Sequence, residues 1–103
     1  MNSDDSTMTS VRLVRSKKGP RLVLHGNVSA GSAERLHQTA LEAVALGTDV
    51  TADLAAVEEL DASALQILIA LRRTLGTRGR ELRLAGASSP LNESLRLAGL
   101  LES

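Results

Sequence analysis

The hydrophobic period of this chain switches repeatedly along its length, and that switching restricts its fold more than any other feature. "VRLVRS" (11–16) and "RLVLHG" (21–26) alternate polar and apolar residues, the period of a half-buried strand. The "KKGP" between them supplies turn geometry, so the two segments read as a hairpin. From Ser32 to Leu46 the apolar positions Ala33, Leu36, Ala40, Ala43 and Val44 recur at helical spacing, with Ser29 or Ser32 available as cap and Gly47 at the end. "DVTADLA" predicts a strand of about five or six residues through Val50, Ala52 and Leu54. A helix follows from Ala62 to Arg78, closed by Gly79. "ELRLAGA" is a further strand. "SPLNESLRLAGL" is a last helix with Ser88 or Ser89 as cap and Pro90 in its first turn. The order is β β α β α β α. Strands that alternate with helices need crossover connections. The expected fold is therefore α/β: a mainly parallel sheet of about four strands, an N-terminal antiparallel hairpin, and helices packed on it.

A length of 103 residues fits one domain, expected over 10–103 behind a disordered tail at 1–9. The chain has no Phe, Trp or Tyr, so Leu, Val, Ile and Ala must fill the core. Branched aliphatics suit both a helix face and a sheet face. No cysteine is present, which removes disulfides, thiolate chemistry and Cys-based metal sites together. The opening "MNSDDSTMTS" has neither a basic start nor an apolar stretch, so it does not read as a signal peptide. The longest apolar run, around Leu65 to Leu71, is roughly half the ~20 residues that span a bilayer. These features point to a soluble cytoplasmic protein with no direct membrane insertion, and the pattern carries no signal for an oligomeric state.

Twelve Lys and Arg balance twelve Asp and Glu, so total charge selects neither nucleic acid nor membrane as partner. The distribution is less even. Between Glu34 and Asp61 lie Glu34, Glu42, Asp49, Asp53, Glu58, Glu59 and Asp61 against Arg35 alone; between Ala62 and Arg96, six Arg face only Glu81 and Glu93. The sign changes inside "EELDASALQILIALRR" (58–73), where an acidic stretch runs straight into an apolar helix. Open α/β sheets place functional groups where strands end and helices begin. Asp61 is a good N-cap whose carboxylate can accept from the amide of Ser63 or Ala64. Ser63 then lies in the first turn, among unpaired N–H groups at the positive end of the helix dipole. A hydroxyl there has two readings. It is a local capping group, or it is a phosphoacceptor, because phosphate is favoured at a helix N-terminus. In the second case the modification joins Glu58, Glu59 and Asp61 in one negative patch that repels a docked protein. Spacing alone does not choose between them.

The stretch from Val50 onward resembles the STAS domain, the fold of bacterial anti-sigma factor antagonists. The resemblance rests on Val50, Asp53-Leu54, Val57, Asp61, Ser63, Leu65, Arg78-Gly79 and Gly99-Leu100, in that order and spacing. "LVLHGNVSAGSAERL" is also similar to the family's Gly-x-Leu-Asp segment before its first helix, and the likeness runs over about residues 11 to 101. It implies that Ser63 is the phosphoacceptor of a cognate serine kinase that is itself the anti-sigma factor. The unmodified form binds that kinase and the phosphorylated form releases it. It further implies no catalysis and no cofactor on this chain, with Asp61, Ala62, Ser63, Ala64 and Ser29 forming the partner-binding surface. Ala62 and Ala64 are expected there as exposed small residues. Ala64 stands where the family has Gly, Ala62 where it has Ser or Thr, and Ser29 where many members have Asp. "LDASALQ" resembles STAS proteins of chemotaxis and lipid-transport clusters as well, so a constitutive, unphosphorylated subunit is the alternative.

Other chemistries find little support. His25 and His37 have no third ligand at metal-binding spacing. "DASAL" lacks both glycines of a nucleophile elbow, and no Gly-rich phosphate loop occurs. Arg12, Arg15, Lys17, Lys18 and Arg21 cluster in the hairpin, but the aromatic platforms of single-strand nucleic-acid binders are absent.

Overall fold

A computed structural model describes residues 11–100, and the expected tail at 1–9 lies outside the described residues. The chain forms β1 (Val11–Ser16), β2 (Gly19–Val28), α1 (Ala30–Ala45), β3 (Val50–Leu60), α2 (Ala62–Thr77), β4 (Leu82–Ala85) and α3 (Ser89–Leu97). The four strands make one sheet in the order β1-β2-β3-β4. β1 and β2 are antiparallel, and β2, β3 and β4 run parallel to one another. This is the β β α β α β α arrangement expected from the alternation of periods.

The period-2 pattern sorts side chains between the two faces of the sheet. Leu22, Leu24, Val50, Ala52 and Leu54 are buried on one face, beneath the helices. Their neighbours Arg21, Val23, Thr51 and Asp53 stay partly exposed on the other. Leu36, Leu68, Leu75 and Leu95 descend from the three helices into the same core. Burying a side chain of this size is worth about 1.5–3 kcal/mol. An aliphatic set spread over every element thus supplies the cohesion that aromatic residues give elsewhere.

β3 departs from expectation. It spans 11 residues rather than five or six and carries on through Leu60. Its register against β2 slips twice, between Val23 and His25 and between Gly26 and Asn27. Val23 and Val28 lie opposite Asp53 and Leu60, so β3 holds two more residues than β2 over this stretch. After Leu54 the buried positions are Val57 and Leu60, a spacing of three that hides the strand from a search for period two. Asp53 secures the first slip: Oδ1 accepts from the amide of Ala55 at 3.1 Å, and Oδ2 accepts from Arg21 Nε on β2 at 3.3 Å.

The helix ends follow local chemistry. α1 begins at Ala30 with Ser29 at its N-cap position, the earlier of the two caps the sequence offers. Ser88 caps α3 by accepting from the amide of Leu91, and Pro90 sits in the first turn. Gly86, between β4 and α3, has φ +81°, and a Cβ there would lie 2.9 Å from Ala55 Cβ. The backbones of β3 and the β4–α3 turn touch so closely that only glycine fits.

Candidate functional site

Because β2 and β3 run parallel, their carboxyl ends lie side by side, with Val28 opposite Leu60. α1 and α2 therefore begin next to each other. The amide of Asp61 donates to the carbonyl of Val28 at 3.1 Å, which fixes the start of α2 to the end of β2. This bond brings Ser29 and the Asp61–Ser63 turn to one edge of the sheet, although 32 residues separate Ser29 from Asp61.

Asp61 is the N-cap of α2 in extended conformation, with φ −88° and ψ −178°. Its Oδ1 accepts from the amide of Ala64 at 3.1 Å, and its carbonyl accepts from the amide of Leu65 at 3.0 Å. The carboxylate is thereby committed to holding the turn, and one of the orphan amides of the helix start is satisfied. The amides of Ala62 and Ser63 are left at the positive end of the helix dipole.

Ala62 is exposed and Ser63 half-buried. The Ser63 hydroxyl makes no hydrogen bond among the described residues, so it does not act as the local cap that one reading of the sequence assigned to it. Ala64 corrects an expectation: its side chain is fully buried. As the third residue of the helix it points onto the core, and what it presents to the turn is its backbone N–H. The exposed small residues at this edge are Ala62 and Ser29; Ala55 and Ala56 are also exposed, further back along β3 where Ala56 lies opposite His25.

The site is acidic. Glu58 and Glu59 are exposed at the end of β3, and Glu59 lies opposite Asn27 of β2. Neither makes an ion pair among the described residues. They stand on β3 itself, beyond the five or six residues expected of that strand and close in sequence to Asp61. His25 and His37 are both exposed. Among the described residues no group of three His, Cys, Asp or Glu is arranged to hold a metal ion. No described helix is long and apolar enough to cross a membrane.

A family model described as "Mlab, STAS domain" matches residues 11–102. The chain belongs to the STAS domain family. Its fold is that of the anti-sigma factor antagonist SpoIIAA. The unphosphorylated form of that protein is 14% identical with a TM-score of 0.72, over 85% of this chain and 83% of the other. The phosphorylated form from Bacillus, also 14% identical, has a TM-score of 0.69 over 88% of this chain and 85% of the other. A STAS-domain anti-sigma-factor antagonist from Rhodobacter sphaeroides is 23% identical with a TM-score of 0.58, over 78% of this chain and 91% of the other. At these identities the likeness is one of fold. No curated protein matches the chain.

Proposed function

We propose that this STAS domain is a regulatory binding protein of the anti-sigma factor antagonist type, switched by phosphorylation of Ser63. It docks on a cognate serine kinase through the edge formed by Ser29, Ala62 and Ser63, and catalyses nothing itself. The observation that carries the reading is the division of labour in the first turn of α2: Asp61 caps the helix, which leaves the neighbouring Ser63 hydroxyl without a structural task. A phosphate there would add about 1.5–2 negative charges. The amides at the helix start can accommodate it, while Glu58, Glu59 and Asp61 make the whole edge more strongly negative. A partner seated on the small side chains Ser29, Ala62 and Ser63 then meets both bulk and added repulsion, and its release follows. SpoIIAA, which shares the fold, has been solved in unphosphorylated and phosphorylated forms, which fits a protein of this type.

The test is incubation with the kinase encoded nearest to this protein, in the presence of ATP, followed by mass analysis and a binding titration. The expected result is a single phosphate on the wild type, none on Ser63→Ala, and Ser63→Asp binding at least about tenfold more weakly than wild type. Equal phosphate incorporation in Ser63→Ala would remove Ser63 from the switch. A second reading is favoured by the family description itself and by Ala64, which stands in place of the family's Gly. In that reading the domain is a constitutive subunit of a lipid-transport or chemotaxis assembly that docks without phosphorylation. Ser63→Ala is then silent in cells, and the protein co-purifies with a membrane permease and its ATPase.

A further inference from the structure

Among the described residues β1 is an edge strand, paired with β2 alone, and the direction of its outward backbone groups follows from the hairpin. Ser16 and Gly19 close a turn of two residues, which makes them a hydrogen-bonded pair. By alternation Arg12, Val14 and Ser16 bond inward to β2, and the N–H and C=O groups of Val11, Leu13 and Arg15 point outward. The carbonyl of Val11 indeed accepts from outside the sheet, from Arg35 Nε of α1 at 3.1 Å, and a carbonyl oxygen has two lone pairs, so it can accept a second bond. Beside this edge runs a groove of about 600 Å³ between β1 and α1, lined by Leu13, Glu34, Arg35, Gln38 and Glu42 among others. Leu13 packs on the core and is half-exposed at the groove. Glu34 and Glu42 are exposed and make no ion pair among the described residues.

We propose that β1 pairs antiparallel with β1 of a second copy, so that the two four-stranded sheets join into one of eight strands about a twofold axis through Leu13. Only a register that sets odd residues opposite odd residues can join the outward groups of both strands. Centring on Leu13 places Leu13 against Leu13, Val11 against Arg15 and Arg15 against Val11. Those three pairs exchange about six backbone hydrogen bonds. The same register sets Arg12 against Val14 on the open face, so no two cations lie directly opposite each other. On the helix face the two Leu13 side chains meet at the axis and cover the apolar part of each groove. Arg15 of each copy arrives beside Val11 of the other, where Arg35 holds the Val11 carbonyl and Glu34 and Glu42 line the same groove, so the two carboxylates offset both cations. Such an interface closes with twofold symmetry and does not propagate. It uses none of the residues of the Ser63 turn, so both copies keep that edge open. The interface is small and belongs to the weak class, formed at high micromolar concentration.

The absence of cysteine from the chain permits a direct test of the register on the full-length protein. Leu13→Cys places two thiols at the twofold axis on residues whose Cα atoms would lie about 5.5 Å apart, inside the range of about 4.4–6.8 Å that a disulfide bridges. Arg12→Cys points to the other face and is offset along the strand. Under mild oxidation Leu13→Cys is expected to give a crosslinked dimer and Arg12→Cys to remain monomeric. Sedimentation velocity should show concentration-dependent dimerisation of the wild type. Arg15→Pro, which removes an outward N–H at an edge position where proline is tolerated, should weaken it by roughly tenfold or more. A wild type that stays monomeric at high micromolar concentration overturns the proposal. So does crosslinking of Arg12→Cys in preference to Leu13→Cys, a result that stands whether or not the proline variant folds.

Discussion

The first turns of α1 and α2 lie side by side and can be compared residue by residue. Each N-cap follows a strand whose last residue is buried, Val28 before Ser29 and Leu60 before Asp61. Each third helical residue is buried too, Ser32 in α1 and Ala64 in α2. The chemistry between those fixed points is inverted. In α1 the N-cap side chain makes no cap bond, and the amide of Ser32 turns back to the carbonyl of Ser29 at 2.9 Å. In α2 the corresponding amide, that of Ala64, is taken by the Asp61 carboxylate. At the second helical position α1 has Gly31 and α2 has Ser63. The same backbone frame thus yields one bare turn and one turn that is capped, acidic and equipped with a free hydroxyl. The fold supplies two helix N-termini at this edge, and side chains make only one of them suited to a switch.

The buried third position should give the largest effect. Ala64 has no exposed surface, and its Cα lies within the turn that Asp61 holds. Ala64→Leu forces extra methylene groups into a closed space, at a cost of about 3 kcal/mol. For a domain of this size that corresponds to a fall in Tm on the order of 12–24 °C, measurable by thermal unfolding. If Ala64→Leu unfolds near the wild-type temperature, the claim that α2 is seated on its third residue is wrong and the likeness between the two turns is lost.

The caps come next. Asp61→Ala removes the acceptor of the Ala64 amide and is expected to cost about 1 kcal/mol. Ser29→Ala removes a hydroxyl with no cap bond and should stay within about 0.5 kcal/mol of wild type. Both are read as shifts in denaturant midpoint at constant slope. Equal losses at the two positions would show that the contrast between the caps has no energetic content.

How far this contrast could be read in advance depended on the range of the interactions involved. Asp61 as cap, Pro90 in the first turn of α3 and the apolar run around Leu65 to Leu71 in α2 are local features, and a sequence pattern reports local features well. The family likeness extended this to the whole fold. What stayed hidden was set by pairing between distant segments. The last half of β3 did not read as a strand, because two register slips against β2 convert its period from two to three. Glu58 and Glu59 lie on that unread half of the strand. The burial of Ala64 was missed for a related reason: small size was read as a sign of an exposed flat surface, whereas at the third position of a helix seated on a sheet it equally marks a tight contact. The close approach of Gly86 to Ala55 left as its only trace two small residues 31 positions apart.

Converting the bare turn towards the equipped one gives the smallest and most discriminating prediction. Gly31 is exposed, has no left-handed backbone conformation, and a Cβ on it would meet only Ser29 Oγ at 3.8 Å. Gly31→Ser therefore fits without strain. It should stabilise the domain by up to about 0.5 kcal/mol, since serine loses less conformational freedom than glycine on entering a helix. The variant then carries a hydroxyl at the second helical position of both helices, but at α1 no carboxylate caps the turn and Glu58, Glu59 and Asp61 belong to its neighbour. A kinase that recognises the α2 turn should modify Ser63 in Gly31→Ser at the wild-type rate and leave the introduced hydroxyl untouched, a result that peptide mass mapping resolves. Modification of both hydroxyls to the same extent would mean that an exposed hydroxyl at a helix start suffices for the kinase, and that the Asp61 cap contributes stability to α2 without contributing recognition.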